Sequence, residues 1–400
     1  MMANGTGMIV LDGPSAVAFY RDRDDLVASR ERNLEPDEPI IRIDSSDEDF
    51  WLSDEDIAAM LANESVFGSL TIAADEESLV ASTVAGMPDL ARSSMRRMRG
   101  TIVRSRDLKL VPYDTLGIRP PAEDSRLYLL VPEARSRRTV RHVRHRHCRT
   151  ELPDHAFLRL DSHAYVPTPE FTFLLMAHYL DLHELIVLGM ELCGHYRLVG
   201  SSTDSPLVSN RTVYGQRPLT TPQRIAALLE RAGGFTGLPK AKRACACLAA
   251  GSASPMETAL YLLLCLPRKL GGYGLPQPTL NAKRRVTALA GSFTLSRTLV
   301  PDLFWSSAMF DMEYDSEEFH ASAEALRKGA RRALALRSMG VQVMSVTKDV
   351  VYDEDAFDAI ARLVAKVLGV RIRKLAKEAK HQRQLLRQVA LYGFALETDD

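Results

Sequence analysis

The stretch VPDLFWSSAMFDMEYDSEEFH, residues 300–320, decides the predicted fold of the C-terminal part of the chain. Asp302 and Glu313 each lie at or near the end of an apolar segment that is predicted to form a β-strand, and Asp315 follows Glu313 at the second position. Because side chains alternate along a strand, Glu313 and Asp315 should point to the same face. Clustered carboxylates repel one another unless a cation offsets their charge, and Mg²⁺ or Mn²⁺ is the natural partner of oxygen ligands. The pattern is therefore typical of a metal-dependent phosphodiesterase.

The segments around this stretch predict an α/β unit over residues 251–400. Ser254, Pro255 and Glu257 combine a cap residue, a proline in the first helical turn and a capping-box glutamate, so a helix is predicted to start there. The order that follows is strands within 285–314, a helix over 320–339, a strand over 341–347 and helices over 353–368 and 371–391. This alternation predicts a mixed central sheet flanked by helices.

The first 250 residues are predicted to form two α+β regions. An acidic region over 1–95 begins with a short strand, MIVL, and a helix from Ser15, and a middle region over 96–250 begins with short apolar strands. The middle region is a candidate module for nucleic-acid or partner binding. Its helices are predicted at 169–179, 182–193, 222–233 and 239–250, with a loop over the Ser-, Thr- and Pro-rich stretch 199–222.

The charge of the chain is divided unevenly. The 400 residues carry 51 Lys or Arg and 51 Asp or Glu, yet residues 1–90 hold 5 Arg and 20 Asp or Glu, a net charge of −15. The remainder therefore has a net charge of +15. A basic remainder is compatible with DNA binding, and the acidic region could cover that surface, bind a protein partner, or simply be a solvated face.

The sequence predicts a cytoplasmic protein. No apolar run is as long as a bilayer span, and the start, MMANGTGMIVLDG, has neither a basic n-region nor a clear cleavage site, so neither a membrane segment nor a signal peptide is expected. The five cysteines are an odd number and are thinly spread, which indicates reduced thiols.

The block from Ser254 to Val351 resembles the PD-(D/E)xK nuclease superfamily, in the uncharacterised branch related to very-short-patch-repair endonucleases. The resemblance rests on an early helical Glu, on Pro301-Asp302, on Met312-Glu313-Tyr314-Asp315, and on elements that follow in order: His320, a helix with Arg331 and Arg332, and a strand from Gly340 to Val343. It implies a restriction-endonuclease-like fold and a divalent-metal-dependent DNA endonuclease.

The resemblance and the chemistry of phosphodiester cleavage assign roles to individual residues. The predicted metal ligands are Asp302, Glu313 and Glu257, with Mg²⁺ or Mn²⁺ as the cofactor. Asp315 and His320 complete the predicted catalytic set, in which His320 or Lys348 would take the place of the superfamily lysine. The predicted contacts to DNA phosphates are Arg331, Arg332, Lys348, Arg373 and Lys377.

The sequence also departs from the family pattern. Ser316 stands where the family has glycine, Asp315 where the superfamily has lysine, and Gly329 and Ala333 where acids are often found. Upstream, HVRHRH and YVPTPEFTFLLMAHYLDLHELIVLGMELCG resemble a segment of AbiEi-type antitoxin-related proteins. The alternative is therefore a catalytically retired nuclease fold that acts as a DNA-binding regulator or antitoxin-like protein.

Each predicted site residue has a purely structural explanation as well. Glu257 fits a helix cap, Asp302 and Glu313 fit solvated strand ends, and His320 fits a helix start. The basic C-terminal helix fits a solvated face. A zinc site formed by the histidines within 142–163 is disfavoured, because arginines crowd them and no CxxC pair is present.

Overall fold

The architecture is taken from a computed structural model. It describes residues 9–22, 108–109, 111, 113–116, 118–123, 125–131, 140–148, 152–153, 156–160, 164–199, 211–315, 323–372 and 377–392. Within these ranges the protein is a mixture of helices and several small sheets, in agreement with the predicted α/β character. Most of the acidic region 1–95 lies outside them. No helix in the described ranges is both long and apolar enough to cross a bilayer.

The N-terminal strand and helix pack into the middle region. β1 (Ile9–Val10) is followed by α1 (Gly13–Asp22), which starts two residues before the predicted start at Ser15. The elements that follow α1 are α2 (Tyr113–Leu116), β2 (Leu127–Val131), β3 (Val143–His147), β4 (Phe157–Arg159) and β5 (Ala164–Pro167). β1 runs parallel to β5, and β5 is antiparallel to β4, while β2 and β3 form a separate parallel pair.

The helices of the middle region start at side-chain caps. Thr168 accepts a hydrogen bond from the Phe171 N–H before α3, and Asp181 and Glu184 form a reciprocal capping box before α4. The predicted helices are confirmed, with ends that differ by up to five residues. Their bounds are α3 (Pro169–Met176), α4 (Leu182–Leu192), α5 (Pro222–Arg231) and α6 (Leu238–Cys245).

The loop predicted over 199–222 is partly wrong. β6 (Tyr196–Val199) pairs antiparallel with β7 (Arg211–Tyr214), so a strand lies inside that stretch. β7 has no buried residue. A strand without buried side chains lacks apolar alternation, and its polar composition therefore resembles that of a loop.

The C-terminal unit is built around a four-stranded mixed sheet. Its strand order is β13-β12-β11-β8, in which β8, β11 and β12 are antiparallel neighbours and β13 runs parallel to β12. The 16-residue helix α8 makes the crossover that a parallel connection needs. The elements are α7 (Pro255–Cys265), β8 (Thr279–Leu280), β9 (Arg284–Arg285), β10 (Thr298–Leu299), β11 (Leu303–Trp305), β12 (Phe310–Asp315), α8 (Ala323–Ser338), β13 (Gln342–Thr347), α9 (Lys348–Tyr352), α10 (Glu354–Val367) and α11 (Lys377–Tyr392).

The two faces of this sheet are covered by different cores. On one face, Leu303, Phe310 and Met312 belong to the main core, which runs from Ile9 to Val389. On the other face, Phe304 belongs to a smaller core that α8 covers. Because the main core includes residues from all three predicted regions, the buried side chains form one continuous network. The predicted region boundaries near 95 and 250 stay predictions.

A buried ion pair joins α1 to α4 inside the main core. The Arg21 guanidinium donates to both carboxylate oxygens of Glu191, with an Nε–Oε1 distance of 2.8 Å, and both side chains are 2% exposed. Glu191 also accepts a hydrogen bond from the Leu198 N–H at 3.1 Å. The pair therefore links the N-terminal helix to α4 and β6.

We expect Arg21→Ala to lower the free energy of unfolding by about 3–5 kcal/mol, because it leaves the Glu191 carboxylate buried without its partner. Urea denaturation followed by circular dichroism measures the change. Lys242→Ala is the control, since Lys242 pairs with Glu230 in the solvent and its loss should cost under about 1 kcal/mol. Equal midpoints for the two variants would contradict the assigned role.

Candidate active site

Three carboxylates meet on the α8 face of the sheet, at the β11–β12 pair. Asp311 and Glu313 are alternate residues of β12 and so share this face. The register places Phe304 opposite Asp311, and continuing it places Asp302 opposite Glu313. The Tyr314 N–H donates to Asp302 Oδ2 at 2.9 Å, which holds the Asp302 carboxylate beside β12. The predicted proximity of Asp302 and Glu313 is thus present in the fold.

The position of Asp302 differs from the prediction that it ends a strand. β10 ends at Leu299, and Asp302 directly precedes β11. Pro301 explains the difference, because proline has no N–H for a strand ladder and interrupts the pairing at this point. Asp302 therefore stands at the start of a strand whose partner, β12, carries Glu313.

Asp311 was missed in the sequence and is the most deeply buried of the three, at 0% exposure. It lies two residues before Glu313, just as Asp315 lies two residues after it. Extending the same alternation backward along the strand would have found it. Its apolar neighbours Phe310 and Met312 point to the opposite face and pack in the main core.

Glu257 lies near the cluster but is occupied by its own helix start. Its Oε2 accepts hydrogen bonds from the Ala253 N–H at 2.8 Å and from the Asn281 amide at 2.5 Å, and Ser254 Oγ lies 3.1 Å from both its Oε1 and its backbone N. These are the contacts of a capping residue. Its charge still acts on the cluster, since it contributes to the raised pKa values of Asp302 and Glu313.

Burial and mutual repulsion hold protons on this cluster. Burial, followed by the charges of Glu313 and Glu257, raises the pKa of Asp302 to about 8. Burial, followed by the hydrogen bond and charge of Asp311, raises the pKa of Glu313 to about 9, while burial raises that of Asp311 to about 6. The directions of these pKa shifts indicate that Glu313 and Asp311 share one proton. Glu313 carries this proton and donates it in a hydrogen bond to Asp311, as in other sites where two carboxyl groups lie side by side.

One arginine of α8 faces the cluster. Arg332 Nη1 lies 2.7 Å from Glu313 Oε2, and its Nη2 lies 3.9 Å from Asp302 Oδ1 and donates to the Val300 carbonyl. Arg332 was predicted to contact a DNA phosphate, whereas here it is the counter-ion of the acids. Its charge lowers the pKa of Asp302, Asp311 and Glu313 but does not reverse the effect of burial.

The donor set has the chemistry of a site for a hard cation. Both carboxylate oxygens of Asp311 and Oε1 of Glu313 are buried, and the groups that act on them are the neighbouring carboxyl and, for Asp311, the Leu303 N–H. Oxygen ligands of this kind suit Mg²⁺ or Mn²⁺. As placed, however, no three His, Cys, Asp or Glu side chains in the described ranges converge on one point closely enough to hold an ion. Binding one would require the carboxylates to turn.

The other predicted site residues lie around the cluster or outside the described residues. Asp315 ends β12, half-buried, on the Glu313 face and opposite Thr347 of β13. Lys348 follows Thr347 and is exposed, with Nζ 5.6 Å from the centre of the Tyr352 ring. Arg331 is exposed on α8.

Of the remaining predicted residues, His320 and Arg373 lie outside the described residues. Lys377 starts α11, and its side chain is not among those described. Two further arginines of α11 are used inside the protein. Arg383 is 5% exposed and donates to the Gly271 carbonyl, and Arg387 donates to the carbonyls of two residues at the end of α9.

Comparison with known proteins identifies no relative: no protein-family model matches the chain, and neither a curated protein nor a solved structure matches it.

We expect Glu313→Gln to stabilise the protein more strongly as the pH rises. The folded-state pKa of Glu313 is raised to about 9 from 4.5, so the folded state retains a proton that the unfolded state releases. The carboxyl therefore lowers stability progressively between about pH 5 and pH 9, whereas glutamine keeps the hydrogen-bonding shape of the protonated form. Melting temperatures at pH 5, 7 and 9 test this.

The wild type and Glu313→Gln should have the same melting temperature near pH 5. Near pH 9 the free energy of unfolding of the variant should be higher by about 1–3 kcal/mol. Asp355→Asn, a change of the same charge at an exposed position of α10, is the control and should keep the pH profile of the wild type. A difference between Glu313→Gln and wild type that is constant with pH would contradict the raised pKa.

Proposed function

We propose that this chain is a divalent-metal-dependent DNA endonuclease with a restriction-endonuclease-like C-terminal unit, in which Asp302, Asp311 and Glu313 are the catalytic carboxylates. The observation that carries the proposal is that these three acids, from two neighbouring strands, lie on one face of the sheet beside one arginine. Buried acids with strongly perturbed pKa values lower stability and are concentrated at functional sites. A purely structural set of edge carboxylates would be solvated, yet Asp311 is 0% exposed.

The order of the elements supports the same proposal. A helix with Glu257 near its start precedes antiparallel strands, Asp302 and Glu313 stand on neighbouring strands, and the Arg-bearing helix α8 leads to a parallel strand. This is the order that the resemblance to the PD-(D/E)xK superfamily implies. Fold alone does not establish activity, so the argument rests on the acids.

The residues of this site could divide the work of phosphodiester hydrolysis. Asp302, Asp311 and Glu313 would hold Mg²⁺ or Mn²⁺, which when bound activates water and neutralises charge on the phosphate. A carboxylate oxygen of this set that does not contact the cation could accept the proton that an attacking water loses. Arg332 is placed to neutralise charge that develops on a phosphate, once a cation replaces it beside Glu313.

The neighbouring residues would complete this arrangement. Lys348 presents a positive charge just beyond Thr347, the β13 residue paired with Asp315. It could bind a phosphate next to the one that is cleaved. Asp315, on the same face as Glu313, could assist in orienting water. His320 stays a predicted member of the catalytic set.

Specific observations favour the retired nuclease as the second candidate. Arg332 already occupies the side of Glu313 that a cation would need, Asp315 stands where the superfamily has lysine, and the described acids do not converge on a single point. In that case the fold would serve as a DNA-binding regulator. Salt-dependent DNA binding would then persist without the acids, and no cleavage would occur.

A cytoplasmic location is part of the proposal, because the substrate is DNA and none of the five cysteines, all of which lie in the described ranges, forms a disulfide.

We expect purified protein to nick supercoiled plasmid in the presence of Mg²⁺ or Mn²⁺, and each of Asp302→Asn, Asp311→Asn and Glu313→Gln to lower the rate by roughly 100-fold or more. These changes keep the size of each side chain, and asparagine at 302 still offers an oxygen to the Tyr314 N–H. Gel electrophoresis of the plasmid measures the rate.

Asp355→Asn again serves as the matched control and should leave the rate unchanged. Residual nicking that is equal in the wild type and the three variants would come from a contaminant and would refute the proposed enzyme. A normal rate for Asp311→Asn alone would remove that residue from the catalytic set while leaving the other two.

A further inference from the structure

Residues 281–300, between β8 and β11, form a separate layer on the face of the sheet that carries the acids. β9 and β10 pair antiparallel with each other, with Arg285 opposite Thr298 and Arg284 opposite Leu299. They are not strands of the four-stranded sheet. The chain leaves the sheet after β8, makes this excursion and returns at Asp302.

This layer is fixed to α8 and to the sheet by packing. Leu299 and Ala290, a residue of the short 3-10 turn in the layer, share the smaller core with Phe304 of β11 and with Leu336 of α8. The Arg284 guanidinium lies 4.2 Å from the centre of the Phe304 ring, a cation–π contact. The layer and α8 therefore form one surface beside the acid cluster.

The surface is strongly basic. Residues 281–300 contain four cations and no acid, and residues 323–345 contain five cations and one acid. Arg327 and Arg331 are four residues apart and lie on one side of α8. Six cations with described side chains are exposed, and within the part of the chain that the structure describes none of them pairs with a carboxylate. They are Lys283, Arg285, Arg297, Arg327, Arg331 and Arg337.

Several cations elsewhere in the described residues pair with carboxylates. Lys242 of α6 pairs with Glu230, and Arg362 of α10 pairs with Asp358. Arg383 of α11 also pairs with Asp358 and stacks on the Tyr273 ring, with its guanidinium 3.7 Å from the ring centre. Six exposed cations without a carboxylate partner among the described residues thus lie on the two elements next to the acid cluster, whereas on α5, α6 and α10 such cations occur singly.

We infer that the layer 281–300 and α8 together form a surface that binds the sugar–phosphate backbone of duplex DNA. The position of this surface relative to the cleaved phosphodiester bond rests on the function proposed above. DNA binding by the surface does not itself require the acids. Unpaired Lys and Arg side chains gain free energy on a polyanion by displacing its counterions. They also offset the repulsion that the carboxylates exert on an incoming phosphate.

The test is a fluorescence-anisotropy titration of the full-length protein with a duplex of about 20 base pairs, in EDTA, at several KCl concentrations. We expect Arg285→Gln/Arg297→Gln/Arg331→Gln to bind at least about tenfold more weakly and to reduce the slope of log K against log salt by about 2–3. Arg231→Gln/Arg243→Gln/Lys366→Gln removes the same charge at exposed positions of α5, α6 and α10, and should retain wild-type affinity and slope.

Equal affinity and slope for the two triple variants would overturn the inference, as would absence of binding by the wild type at low salt. Tighter binding of duplex RNA than of DNA of the same sequence would overturn the assignment to DNA. Asp302→Asn should bind DNA at least as tightly as the wild type in EDTA. The inference can therefore fail while the acids still prove necessary for nicking, and it can hold while nicking is absent.

Discussion

Strand β12 carries the constraint on which the rest of the C-terminal unit depends. It has two neighbours, β11 and β13, and must fill a core on one face while it presents acids on the other. Phe310 and Met312 meet the first requirement in the main core, and Asp311 and Glu313 meet the second. A shift of the register by one residue would place the acids in the main core and the apolar side chains against Arg332, so the alternation fixes both the pairing and the site.

Placing acids under α8 is unfavourable for folding, and the protein offsets only part of that cost. Arg332 supplies one positive charge, the Tyr314 N–H supplies one hydrogen bond, and retained protons reduce the remaining repulsion. Apolar residues of similar size at these positions would be more favourable for stability. An arrangement of this kind is understandable where activity, rather than stability, determines which residues are present.

Much of the fold follows from local patterns in the sequence, while the site depends on contacts that are distant in the chain. The start of α7 at Ser254 and strand β13 could be predicted because a cap and an apolar alternation are visible in a short window. β7 could not, since it has no buried residue and therefore no apolar alternation. Asp302 was displaced from the expected strand end to a strand start by its neighbouring proline. The burial of Arg383 depends on Tyr273, more than 100 residues earlier, which no local pattern reveals.

Acidic and basic side chains lie in different places in the C-terminal unit. The acids lie under α8, and exposed cations that pair with no carboxylate of the described ranges lie on the layer 281–300 and on the exposed side of α8. A phosphate approaching the acids alone would be repelled, so a polyanion can reach them only if the surrounding cations bind its neighbouring phosphates. Arg332 stands between the two sets, because its guanidinium contacts Glu313 and also the Val300 carbonyl at the end of the basic layer. A substrate phosphate or a cation that competes for either contact would act on the carboxylates through this one side chain.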